Sequence, residues 1–131
     1  MRPLTLDLLP DAFAIARLDP QADLPGWVQG GHLASITRTP SELSIVCESH
    51  RVPSAILAER EYRCLRVLGP LQFSATGVLE SLARPLAESA ISIFALSTYD
   101  TDYVLVAGRD LERALACLLA AGHDVRRMAE A

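Results

Sequence analysis

The sequence predicts an α+β fold with helices on one face of an antiparallel sheet, and three observations carry that prediction. Residues 91–106 read Ile-Ser-Ile-Phe-Ala-Leu-Ser-Thr-Tyr-Asp-Thr-Asp-Tyr-Val-Leu-Val. Two β-branched and aromatic runs flank a Ser/Thr/Asp corner, the pattern of a β-hairpin. Two other stretches carry helical periodicity instead: Val78, Leu79, Leu82, Ala83, Leu86 and Ala87, then Leu111, Ala114, Leu115, Leu118 and Leu119. The periods follow one another as strand, helix, strand, strand, helix, strand in the second half. A shorter strand, helical turn, hairpin and link precede them, so the chain contains a weak internal repeat of a βαββ(αβ) pattern.

Taken in order, residues 1–11 form a lead-in closed by Pro10 and Asp11, and 13–18 a first strand that Asp19-Pro20 ends. Residues 25–29 suit one helical turn, and Gly30-Gly31 is a flexible breaker. Residues 32–39 and 41–48 pair as a hairpin across Pro40, with Leu43-Ser44-Ile45-Val46-Cys47 its firmer strand. The run 55–58, after Pro53, is expected to make one or two helical turns. A strand at 62–68 ends at Gly69-Pro70. Ser74 is the expected N-cap of the first long helix, and Pro85 is expected to kink it or weaken its final turn. Asp110 caps the second helix, Gly122 closes it, and a short strand over 123–128 completes the chain.

Composition narrows the function classes. The 131 residues suit one compact domain or two very small ones, and 50% hydrophobic residues supply a core. A net charge of −4 without an Arg cluster argues against nucleic acid as a partner. All twelve basic residues are Arg, which removes Schiff-base chemistry and a phosphate-loop Lys. No apolar run reaches the roughly 18 residues of a membrane span. Acids appear too early at the N-terminus for a secretory signal, so a soluble cytoplasmic protein is expected. Cys47, Cys64 and Cys117 are odd in number and far apart, and read as small buried hydrophobes. His32, His50 and His123 have no His, Cys or acid at ligand spacing, so no metal site and no cofactor are expected.

Few side chains suggest chemistry. Asp100 and Asp102 resemble a paired-carboxylate site, but the strand is expected to turn them to opposite faces, so no catalytic dyad is predicted. Asp100 is assigned to the turn backbone; for Asp102, ligand contact and structural hydrogen bonding both stay open. Asp23, Glu42, Glu80, Glu88 and Glu112 read as solvated surface. Trp27 reads as core packing.

Three passages resemble the ACT-domain proteins, and among them the small tandem-ACT group related to the CASTOR-type arginine sensors. They are Phe-Ser-Ala-Thr-Gly-Val (73–78), the 91–106 hairpin, and Ser-Ile-Thr-Arg-Thr-Pro-Ser-Glu-Leu-Ser-Ile-Val-Cys (35–47). The resemblance implies two tandem ferredoxin-like βαββαβ units, an abbreviated one over 1–59 and a second over 60–131, usually dimerised. It also implies a non-catalytic regulatory protein that binds an amino acid between ACT units. Ligand contacts carried over by motif fall on Phe73, Ser74, Thr76, Gly77, Val78 and Asp102, with Ser92 and Ile93 supplied from a neighbouring unit. The residues agree chemically, because a loop leading into a helix N-terminus favours a carboxylate. Gly77 allows close backbone approach, and Asp102 suits an ammonium or guanidinium group. Arginine-sensing members carry an acid just before the Gly, where this chain has Ala75 and Thr76. A structural dimerisation module with a vestigial pocket is the alternative expectation.

Overall fold

The computed structural model describes residues 3–72 and 75–129. By its internal contacts the chain forms two compact units, residues 1–10 with 63–131, and residues 11–62. Two long strands, β1 (Thr5–Leu18) and β4 (Ala58–Val67), each begin in one unit and end in the other.

In the larger unit, the first half of β1 and the second half of β4 are followed by α1 (Val78–Glu88), β5 (Phe94–Ser97), β6 (Asp102–Ala107), α2 (Leu111–Ala120) and β7 (Asp124–Arg127). The strand order is β7-β1-β4-β6-β5. β5 and β6 pair antiparallel, while β7 runs parallel to β1, with Thr5 opposite Asp124 and Asp7 opposite Arg126. Alternate residues share a sheet face, so Leu6 and Leu8, Leu65 and Val67, Val104 and Val106 all point one way. Leu82 and Leu86 of α1 and Leu111, Ala114, Leu115 and Leu118 of α2 pack on that face, forming one core. Both helices therefore lie on one side of the sheet, as their apolar stripes predict.

The lead-in is a correction to the sequence expectation. Residues 5–18 form one strand of fourteen residues, continuing through Pro10 and Asp11. The β7 ladder covers residues 5–8 and the β3 ladder residues 13–18. Pro10 falls between them, where neither ladder asks for the N–H that proline lacks.

Helix α1 starts at Val78, after Gly77 in a left-handed conformation (φ 74°) and with no side-chain cap. The expected cap, Ser74, lies outside the described residues. Pro85 does not end the helix, which runs on to Glu88. The Ser81 carbonyl that Pro85 leaves without its helical donor receives His123 Nε2 at 3.0 Å. The buried His123 ring also accepts the Leu4 amide at Nδ1, 3.1 Å away. Together these bonds fix the neutral Nε2–H tautomer.

Both helices end in the same hydrogen-bonded motif. In α1 the amides of Ala90 and Ile91 bond the carbonyls of Ala87 and Leu86; in α2 those of Gly122 and His123 bond Leu119 and Leu118. Each is a Schellman ending that needs a left-handed residue at its turn. Gly122 (φ 98°) meets this requirement freely, whereas Ala90 (φ 58°) is strained there. A left-handed L-residue costs about 1–2 kcal/mol, partly offset by the chain entropy that glycine would add. Ala90→Gly is therefore expected to stabilise the protein by about 0.5–1 kcal/mol in chemical denaturation; a loss of stability would contradict the Schellman assignment. Asp110 precedes α2 as predicted but makes no cap bond. It closes a 3-10 turn (Gly108–Asp110) and turns its carboxylate to Arg113.

The smaller unit contains the second half of β1, β2 (Ser35–Arg38), β3 (Leu43–Glu48) and the first half of β4, in the order β2-β3-β1-β4. The 35–48 hairpin forms as predicted, and Thr39 Oγ1 accepts the amides of Ser41 and Glu42 at its corner. Ala14, Ala16, Leu43, Ile45, Cys47 and Val52 form the core, against which Trp27 packs. The helical turns expected at 55–58 do not form. Instead, the Arg60 guanidinium donates to the carbonyls of Val52, Pro53 and Ile56, groups a helix would have bonded to its own amides. β4 accordingly opens at Ala58, four residues earlier than its periodicity suggests.

Candidate functional site

The N-terminus of α1 and the corner of the β5–β6 hairpin enclose a cleft of about 360 Å³. The hairpin corner is built by its own hydroxyls. Thr98 Oγ1 accepts the Thr101 amide at 3.3 Å, and Thr101 Oγ1 donates to the Val67 carbonyl at 2.8 Å. The Leu71 amide donates to the Asp100 carbonyl at 2.8 Å, which ties the loop before α1 to the corner. Ser97 and Asp102 are a cross-strand pair, and Ser97 Oγ donates to Asp102 Oδ1 at 2.6 Å.

Two opposed electrical features meet in this cleft. The first intrahelical bond of α1 runs from the Ser81 amide to the Gly77 carbonyl, so the amides of residues 78–80 precede it. The N-cap residue, Gly77, has no side chain to bond them, and these amides form the positive end of the helix. Glu80, Asp100 and Asp102 bring carboxylates to the lining, and among the described residues no Arg or His lines it. Glu80 also pairs with Arg84 one turn on.

Of the sequence-predicted contacts, Gly77, Val78 and Asp102 line the cleft. Thr76 is exposed between the lining residues Ala75 and Gly77. Phe73 and Ser74 lie outside the described residues. Ser92 is exposed and Ile93 packs against the helix-covered core; neither borders the cleft. One expectation is corrected outright. Asp100 and Asp102 are not separated but border the same cleft, because residues two apart share a strand face and Asp100 sits in the turn. Gln72, Ser97, Thr98 and Tyr99 complete polar walls that the sequence did not assign. The density of Ser, Thr and Asp at the corner was the signal for them.

A second polar cluster lies within the 11–62 unit. The histidines were expected to lack nearby acids, but His32 Nδ1 stands 2.9 Å from Asp11 Oδ2 and 3.8 Å from Glu48 Oε2. Strand pairing joins residues 21 and 16 positions apart, a proximity that local spacing does not encode. Burial alone would push the Glu48 carboxyl up. Hydrogen bonds from Arg51, the His32 amide and the Asp11 carboxyl, with the charge of Arg51, outweigh it and hold Glu48 below the usual carboxylate range. All three cysteines are free; Cys47 and Cys64 are buried as expected, with burial pushing the Cys64 thiol up to about 12, whereas Cys117 is half-buried and its thiol meets Ser89 Oγ at 3.0 Å.

The fold and this cleft define a class. An ACT-domain family model matches residues 57–120, and a separate N-terminal domain model matches residues 11–55. Residues 57–120 belong to the ACT-domain family, and the chain has the ferredoxin-like α+β fold of ACT regulatory domains.

Among individual proteins, the chain is similar to a protein of Agrobacterium tumefaciens, with 37% identity and a TM-score of 0.93 over 99% of this chain and 97% of that one. It is 36% identical over 90 residues to the human protein CASTOR3P, covering 59% of this chain and 55% of that protein. It thus spans about half the length of that relative. The regulatory subunit of aspartate kinase from Thermus thermophilus shares the fold, with a TM-score of 0.57 at 13% identity over 89% of this chain and 94% of that one. No helix among the described residues is long and apolar enough to cross a membrane.

Proposed function

We propose that this protein is a non-catalytic regulatory sensor that binds a free amino acid in the cleft at the start of α1. The observation that carries the reading is the N-terminus of α1, with Gly77 at its N-cap, facing a cleft bordered by Asp102. The helix amides suit the α-carboxylate, and the acids suit the ammonium group, so both ends of a zwitterion find partners. The left-handed Gly77 (φ 74°) lets the ligand approach the backbone, since no Cβ stands over it. Ser92 and Ile93, away from this cleft, are assigned to the site of a neighbouring ACT unit in a homodimer. The free edge of β5, last in its strand order, supports pairing of two copies. Three free thiols suit a reducing, cytoplasmic setting. The open, polar-walled cleft favours ligand binding over a vestigial pocket in a purely structural dimer.

A thermal-shift screen of the twenty amino acids tests this reading. A ligand at a hundred times its Kd adds about 2.7 kcal/mol of stability. Asp102→Asn, which can still accept from Ser97, is expected to abolish the shift while leaving the unliganded melting temperature close to wild type. If no amino acid raises the melting temperature, or the variant responds as wild type does, the site is misassigned. Sedimentation equilibrium with and without the ligand checks the dimer.

A further inference from the structure

Three segments of the 11–62 unit converge on one small patch. Asp11 lies within β1, His32 in the loop ahead of β2, and Glu48 at the last position of β3. One donor atom from each lies within 4.8 Å of the other two. The Glu48 side chain is 4% exposed, whereas those of Asp11 and His32 are each 32% exposed. The cluster thus has a fixed inner donor and two outer donors that solvent can reach. A cleft of about 290 Å³, lined by Asp11, Ser49, His50, Arg60 and Glu61, opens beside Asp11.

Hydrogen bonds tie the members of the patch together. Arg51 Nε donates to Glu48 Oε1 at 2.8 Å and balances that carboxylate. Glu48 Oε2 takes the His32 backbone amide at 3.1 Å, and Asp11 takes the imidazole Nδ1. Arg60 has its guanidinium committed to backbone carbonyls. Among the described residues, no arginine pairs with Asp11, whose ion-pair partner is His32. Gly31 (φ +74°) lies against the Glu48 carboxylate where a Cβ would overlap its oxygens, so the loop carrying His32 is pressed onto the acid.

We infer that Asp11, His32 and Glu48 form a binding site for a divalent transition-metal ion, with Oδ2, Nδ1 and Oε2 as its three protein ligands. Bonds of about 2.0–2.2 Å set neighbouring donors about 3.0 Å apart in octahedral and about 3.4 Å apart in tetrahedral geometry. The two separations from His32 Nδ1, 2.9 and 3.8 Å, bracket those values, and the third pair of donors lies within 4.8 Å. The metal takes the Nδ1 lone pair of a neutral imidazole, so the hydrogen sits on the other ring nitrogen. One imidazole and two carboxylates suit zinc, manganese or cobalt, whereas calcium and magnesium favour oxygen-only sets. Three protein ligands leave further coordination positions for water, on the side that solvent reaches.

Cobalt(II) titration of the full chain, stripped with a chelator, tests the proposal. Visible d–d absorption is expected to saturate at one equivalent, with a rise in melting temperature. His32→Gln and Asp11→Asn should each weaken binding about tenfold or more, since even an outer-shell partner of a metal ligand is worth that much. His50→Gln, at the adjoining cleft but outside the ligand set, should leave the titration unchanged. Both ligand substitutions fall on partly exposed side chains, and circular dichroism verifies that the variants fold. No saturable absorption, or a wild-type titration in His32→Gln, would overturn the proposal. So would an intense near-ultraviolet thiolate band, which places the metal on cysteine. A melting temperature that responds to pH but not to cobalt would assign the cluster to an ion-pair bridge instead, and equally overturns it.

Discussion

Replacing His123 by Ala is expected to destabilise the protein by about 2–4 kcal/mol. The ring joins three distant backbone segments: it accepts the Leu4 amide, donates to the Ser81 carbonyl, and follows directly on the Schellman end of α2. At 5% exposure it leaves little room for water to replace these bonds. An unsatisfied buried backbone group costs about 1–3 kcal/mol, and the substitution creates two. Pro85→Ala makes the test specific. It returns an amide to position 85 that can reach the Ser81 carbonyl, so it should stabilise the His123→Ala background more than wild type. The expected coupling is about 0.5–1.5 kcal/mol, the worth of one hydrogen bond. Urea denaturation of the four proteins measures it. A loss below about 1 kcal/mol for His123→Ala, or equal effects of Pro85→Ala in both backgrounds, would contradict this account.

Loss of the Asp7 carboxylate is the second large effect, and it depends on pH. Asp7, 2% exposed, points away from the helix-covered face and accepts from Arg66 Nη2 at 2.8 Å and Arg126 Nε at 2.9 Å. Burial alone would raise its pKa. The hydrogen bonds and positive charges of the two arginines outweigh burial and lower it below the ordinary carboxylate value. Because the folded pKa is depressed, the stabilisation is fully present above the unfolded value of about 3.9 and is lost as pH falls through the folded value. Breaking a buried ion pair costs about 3–5 kcal/mol, but Arg66 and Arg126 keep 34% and 55% of their side chains in solvent. Asp7→Asn is therefore expected to cost about 2 kcal/mol at pH 7. The gap to wild type should narrow steadily below pH ~4. Denaturation at pH 7, 4 and 3 checks the trend, and a gap independent of pH would rule out the ion-pair account.

The helices and the hairpins were the most legible parts of the fold. The stripes 78–87 and 111–119 each repeat every three to four residues; Leu82, Leu86, Leu111, Ala114, Leu115 and Leu118 are buried as predicted, whereas Ala87 and Leu119, at the helix ends, are exposed. Thr39 and Gly122 lie at the turns their chemistry suits. Less legible was β1, because Leu6, Asp7, Leu8 and Leu9 are all buried and no alternation marks a strand. Its buried acid is tolerated only because Arg66 and Arg126 arrive from β4 and β7. The cleft was legible in half. Gly77 and Asp102 could be named from the motif, while Asp100 was turned to the wrong side by a misjudged strand geometry.

Local sequence sufficed for the α+β class, the amphipathic faces, the hairpin corners and the ACT resemblance, because periodicity and turn chemistry act over a few residues. Tertiary structure alone decided which polar groups meet. His123 reaches the carbonyl that Pro85 strands 42 residues earlier, and His32 meets acids 21 and 16 residues away. A strand's spacing determines which way a side chain points but not which strand lies beside it. Pairing register makes that choice, and with it the two arginines that meet the buried Asp7.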